Sequence, residues 1–220
     1  MRVAMIRWLI VLAAVAALAA GCSDKSKQGS SASDERTKEI EAAARAGDDR
    51  AVEKIAPLVR HEDAQTATAA VAALARMASP KACETLQQVA LTDTRAAVRQ
   101  VAVASLSQRK EPQAVEAISQ AMVRDASPEV RNEAALGLAR AGTVKDVPTL
   151  ANAVEGEQDP KVARTQVLAM ERLIGVRLPR PDPRLSPAER QAALQRMRNT
   201  ALNLAAAKKN KIPVAGCKDH

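Results

Sequence analysis

The chain has 220 residues, a formal net charge of +8 and a single aromatic residue, Trp8. Beyond that tryptophan there is no Phe, Tyr or Trp, which argues against stacked bases, aromatic cages and the aromatic anchors that dominate most binding hot spots. The length suits one ordinary domain. Long runs of Ala, Leu, Val, Arg, Glu and Gln, without period-2 alternation, favour helix.

Arg2 and Arg7 make a basic start, and Trp8 to Ala20 is an uncharged apolar run of 13 residues ending in Leu18-Ala19-Ala20-Gly21-Cys22. This is the layout of a secretory signal peptide, too short for a bilayer span of about 20 residues. The Gly21-Cys22 junction resembles a bacterial lipobox, with Ala19 where many lipoboxes hold Leu. The resemblance implies cleavage after Gly21, a lipid on Cys22, and an exported protein anchored by that lipid, facing the periplasm or displayed at the cell surface. The alternative is a plain secreted protein whose cysteine falls at the cut.

Residues 22–33 are small, polar and turn-rich and read as a flexible tether. Residues 34–175 read as the main domain. Its first helix is predicted over Glu35 to Ala46, with Asp34 as N-cap and Gly47 as the stop. A second spans Asp49 to Arg60, kinked or shortened by Pro57. Then a 32-residue period sets in. Leu86, Ile118 and Leu150 form one column; Leu74, Leu106, Leu138 and Met170 a second; Val98, Val130 and Val162 a third; Val71, Val103, Ala135 and Val167 a fourth. A repeat of this length signals a stacked architecture. Each unit reads as two helices. Arg95–Gln108 and Gln113–Arg124 make one pair, with Pro112 at the start of the latter. In the next, Ser127 caps a helix that runs to Ala141 and stops at Gly142, followed by Lys145–Val154.

The stretch Asp125-Ala126-Ser127-Pro128-Glu129-Val130-Arg131, continued by Ala134-Ala135-Leu136-Gly137-Leu138, resembles a HEAT repeat of the short bacterial type. The preceding unit keeps Asp93, Val98, Arg99, Ala102 and Leu106. The following one has Glu157 in the Asp slot and Ala163 in place of the arginine. The first unit reads Thr66-Ala67 at the Val-Arg pair. The resemblance covers residues 61–175. It implies an all-α, right-handed α-solenoid of stacked helix pairs, with about four repeats and terminal capping helices. It also implies that Arg99 and Arg131 form an inter-repeat ladder with Asp93, Asp125 and Glu157; the alternative is an anion site made by the two arginines. HEAT arrays usually bind along the concave face lined by the second helix of each pair. Glu84, Gln88, Glu116, Gln120 and Asn152 are therefore the candidate partner-binding residues, against a reading as plain solvated surface.

After Gly175, residues 176–220 hold a proline-rich linker (Pro179, Pro181, Pro183) and a last helix from Ser186 to about Lys209, with a capping box at Ser186 and Glu189. Its stripe of Leu194, Met197, Ala201 and Leu204 or Ala205 reads as a cap on the final repeat. This segment carries ten basic and three acidic residues, so it accounts for nearly all of the net charge. Arg190, Arg196, Arg198, Lys208 and Lys209 are the candidate contacts to an anionic surface; the alternative is a solubilising cap.

Little else suggests chemistry. The two histidines, His61 and His220, read as a turn residue and a terminus. Cys83 reads as a small core residue, with a bridge to Cys217 as the lesser alternative. Gly137 reads as a close-packing position. No metal spacing, phosphate loop or nucleophile–base pair stands out. The expectation is a monomeric, non-catalytic scaffold without cofactor or metal. Its partners would be an unidentified envelope protein and, through its lipid, a membrane; nucleic acid is not expected. An anionic-surface binder is the alternative, and a lyase-like enzyme, since related units occur in phycobilin lyases, comes third.

Overall fold

Helix punctuation in this chain is carried by short polar residues followed by proline. Ser79, Ser127, Asp159 and Ser186 each accept a hydrogen bond from the first turn of a helix whose first position is Pro80, Pro128, Pro160 or Pro187. Proline costs nothing there, because that N–H has no partner within the helix. The computed structural model describes residues 33–210, apart from Lys110, Pro181 and Pro183. Among the described residues there is no strand. Cys22, Lys211, Cys217 and His220 lie outside them.

A first helix, α1, occupies residues 33–44. Then follow α2 (Asp49–Ile55) with a 3-10 turn (Ala56–Arg60), α3 (Ala64–Arg76), α4 (Pro80–Thr92), α5 (Ala96–Leu106), α6 (Pro112–Arg124) and α7 (Pro128–Ala141). A second 3-10 turn (Val144–Asp146) leads into α8 (Val147–Gly156), α9 (Pro160–Ile174) and α10 (Pro187–Lys209). Several boundaries differ from expectation by a residue or two: α5 starts after Arg95 and ends at Leu106, α8 starts at Val147 after a 3-10 turn and ends at Gly156, and the first helix ends at residue 44. Residue 33 is already helical, so Asp34 lies inside the first turn; its carboxylate instead accepts from Gln65 Nε2 at 3.3 Å. The helix after Asp49 gives way to 3-10 geometry at Ala56, because Pro57 has no N–H for the Glu53 carbonyl.

The helices pack as two rows. Helices α3, α5, α7 and α9 abut one another along one side, and α4, α6 and α8 form the other, each also packed on the next helix of the first row. The 32-residue columns point between the rows. Leu74, Leu106, Leu138, Met170, Leu86, Ile118 and Leu150 are all fully buried. A core of Ala, Val and Leu lets helices approach closely. Gly137 marks one such close approach: a Cβ there would sit 3.1 Å from Ile118 Cγ2 and 3.2 Å from Ser107 Cβ. Gly175 ends α9 in the left-handed region, at φ 77°. Helix α10 then folds back on α8 and α9 and buries Met197, Ala201 and Ala205, the expected stripe.

The α4, α6, α8 row is the more loosely packed of the two, and α6 and α8 barely touch. The first row packs more closely through small residues: Ala70, Ala73, Ala102, Ala134 and Ala135 are buried there and allow close approach.

Candidate functional site

The loops that join the rows carry a ladder of ion pairs. Arg99 sits one turn into α5 and reaches across to the loop before α7. Its Nε and Nη2 donate to Asp125 Oδ2 and Oδ1 at 2.7 and 2.8 Å, and its Nη1 donates to the carbonyls of Asp93 and Thr94. Arg131 repeats the pattern one unit on, with Nε and Nη2 on Glu157 at 2.8 and 2.7 Å and Nη1 on the carbonyls of Asp125 and Ala126. Two parallel N–H···O bonds match guanidinium to carboxylate in a way Lys does not. The arginines are thus engaged inside the molecule, as the ladder reading expects, and not turned together towards an outside anion.

The carboxyls respond. Burial would raise Asp125, but the Arg99 fork and the Ser127 N–H outweigh it and hold the group below its ordinary value. Asp93 is lowered in the same way, against its burial, by Arg95. The Arg131 fork holds Glu157 below its ordinary value despite its burial. Arg95 fills a gap in the pattern. The first unit has Ala67 where the ladder arginine belongs, and Arg95 instead turns back on Asp93 at 3.0 Å while donating to the carbonyls of His61 and Val59. Arg109, buried at the other end of α3, donates to the carbonyls of Leu74 and Met77. Neither arginine follows the repeat, so the periodicity gave no signal for them.

The open row leaves three grooves. The first, about 730 Å³, lies between Ala56–Arg60 and α4 and is lined by Val59, Thr85, Gln88, Val89, Asp93 and Arg95. The second, about 480 Å³, lies between α4 and α6, with Gln87, Leu91, Glu116 and Gln120. The third, about 400 Å³, lies between the ends of α6 and α8, over Arg131 and Glu157, and includes Met122, Val123, Asn152 and Gln166. The candidate partner-binding residues thus occur one groove after another: Gln88, then Glu116 with Gln120, then Asn152. Glu84 and Gln88 are exposed on α4. Gln120 Nε2 donates to Glu116 Oε1 at 3.0 Å. Asn152 is joined to the C-terminal helix, since Arg198 donates to its Oδ1 at 2.7 and 3.2 Å and lies 3.8 Å from Glu155.

That contact also bears on the basic candidates. Arg198 is held against α8, and Lys208 Nζ donates to the carbonyls of Leu173 and Ile174, closing the end of α9. Arg190 donates to the Leu185 carbonyl. Arg196 and Lys209 are exposed. Cys83 is buried in α4, with Gln87 Nε2 at 3.4 Å from its sulfur. His61 accepts from the Asp63 N–H and stays a turn residue. Among the described residues no three potential metal ligands cluster, and no helix is long and apolar enough to cross a membrane.

One residue in this region escaped the sequence reading. Gln166 on α9 is fully buried, and neither its Nε2 nor its Oε1 has a partner. The 32-residue spacing held the signal: the equivalent positions are Ala70, Ala102 and Ala134.

Two stacked rows of helices joined by a 32-residue period and an Arg–carboxylate ladder define an α-solenoid. The family model described as HEAT repeats matches residues 28–107 and 88–171, and the chain belongs to the HEAT repeat family. No curated protein matches it. As an array of HEAT repeats it is a repeat scaffold of the kind used in protein interactions.

Proposed function

We propose that the chain is an envelope lipoprotein that holds a protein partner on the open row formed by α4, α6 and α8. The observation that supports this is the run of three grooves, each presenting an amide from the same repeat position. The anchor is Cys22, acylated after cleavage at Gly21, and the tether sets the domain near the membrane face. Replacing Gln88, Gln120 and Asn152 together by Ala tests the reading. Capture of an envelope protein that resists high salt is expected to be lost while the chain keeps its helical signal, with a small fall in melting temperature as Arg198 loses its acceptor on Asn152. Capture that is unchanged by the triple variant overturns it.

A second reading follows from the exposure of Arg196 and Lys209 on α10. In that reading the C-terminal helix meets anionic lipid, each such residue contributing on the order of 1 kcal/mol close to the surface. Binding of the full chain to anionic vesicles that falls as salt rises, and falls further with Arg196→Glu and Lys209→Glu, is its expected signature.

A further inference from the structure

We infer that the third groove is a receptor for one neutral amide unit of an extended peptide, with Gln166 as its specificity residue. This rests on the open row being the partner face.

The argument begins with charge. Asp125 is taken by Arg99, and Glu157 by Arg131, both as two-bond forks. No charge lining the groove is left to attract an ion. What is left is a neutral carboxamide, fully buried, with both its donor and its acceptor unpartnered. A buried amide in that condition is strongly disfavoured relative to one that is hydrogen-bonded. The other repeats avoid the problem by holding Ala70, Ala102 and Ala134 at this position, so the fold does not require glutamine here. A single residue of an extended chain offers one C=O and one N–H side by side. That is the complement of a glutamine amide, which donates from Nε2 and accepts at Oε1.

The rest of the groove fits the same ligand. Arg198 holds Asn152 by its Oδ1, which leaves the Nδ2 hydrogens to donate. Met122 and Val123 supply an apolar wall, and Val123 is exposed. A volume of about 400 Å³ lies within the range of ligand pockets, roughly 300–1,000 Å³. Peptide recognition of this kind draws affinity from main-chain hydrogen bonds.

The probe is a neutral hexapeptide, acetylated and amidated, of Ala, Ser and Gln, titrated into the ¹⁵N-labelled full chain in detergent micelles. The side-chain NH₂ signals of Gln166 and Asn152 are expected to shift and saturate together. Gln166→Ala is expected to weaken binding at least tenfold while melting at or above the parent, because it installs the residue the other repeats carry. Gln88→Ala, in the first groove, is expected to leave the shift at Gln166 unchanged. Replacing one peptide bond of the probe by an ester is expected to weaken binding at one position along the peptide. The inference is overturned if the peptide binds Gln166→Ala as tightly as the parent. It is equally overturned if Gln166 gives a long-lived water cross-peak and no peptide shift, which would assign the amide to an internal water. Because the probe is a defined peptide, either result stands apart from loss or retention of partner capture by the triple variant.

Discussion

Arg131 and Glu157 show what a single pair contributes here. Their side chains are 17% and 3% exposed, so the pair is partly desolvated and tied to three different loops and helices. Removing one member of a fully buried pair costs about 3–5 kcal/mol. Arg131→Ala is expected to cost about 2–3 kcal/mol by chemical denaturation, because Glu157 regains some water. Arg131→Lys is expected to recover little of this, as one ammonium does not reproduce the fork. The pH dependence has a definite sign. Asp93, Asp125 and Glu157 are all held below their ordinary values when folded. Asp63, at the start of α3, is held far below by the hydroxyl and N–H of Thr66. A depressed carboxyl stabilises the fold at every pH above its unfolded value and loses that contribution as pH falls. The melting temperature is thus expected to be flat from neutrality down to about pH 4, the unfolded carboxylate range, and to drop below it. Arg131→Ala is expected to flatten that drop.

At the scale of the helix, the load falls on a few aliphatic side chains. Ile118→Ala or Leu150→Ala is expected to cost about 2–5 kcal/mol, and the far-ultraviolet signal should fall cooperatively across neighbouring repeats. Gly137→Ala pits a helix-propensity gain of about 1 kcal/mol against overpacking of about 1–3 kcal/mol on Ile118 and Ser107. A net loss of about 1 kcal/mol is expected. The element pattern was largely legible in the sequence, because small and apolar residues at a fixed period leave the chain one way to bury them. The columns through Leu86 and Leu74 proved to be the core, Ser127 and Ser186 proved to be caps, and the stripe on α10 proved to be its packed face. What was not legible has a physical cause. Arg95 and Arg109 act by reaching backbone carbonyls more than thirty residues back, and backbone acceptors leave no mark on sequence. The internal contact between Arg198 and Asn152 needed the way α10 folds back, which linker composition does not encode. Gln166 was visible as a break in an alanine column, though the reading followed only the columns of larger residues.

For the whole molecule, the lipid is the first matter to test. Mass spectrometry of the membrane fraction is expected to show an acylated peptide beginning at Cys22, and Cys22→Ser is expected to leave the precursor uncut there. A mature N-terminus elsewhere removes the anchor from the proposal. Anchoring would matter to either reading of function. A partner face or basic helix on a short tether works at a high effective concentration beside the membrane, and charge attraction fades over a Debye length of about 8 Å at physiological salt.

The loop ladder also has a direction, and this fixes how the protein can lengthen. Each rung passes from an arginine to the acid that opens the next unit, and that unit's first carbonyls receive the next arginine. At the front the ladder ends with Arg95 within its own loop, and at the back with Ala163, which hands nothing on. A copy of residues 125–156 inserted between Gly156 and Glu157 would keep every rung, with Arg131 meeting the copied Asp125 and the copied arginine meeting Glu157. The same length appended beyond Ala163 would find no arginine to receive it. Growth by internal duplication is thus open to this array with its ladder intact. The inserted variant is expected to fold with proportionally greater helicity and an unbroken cooperative melt.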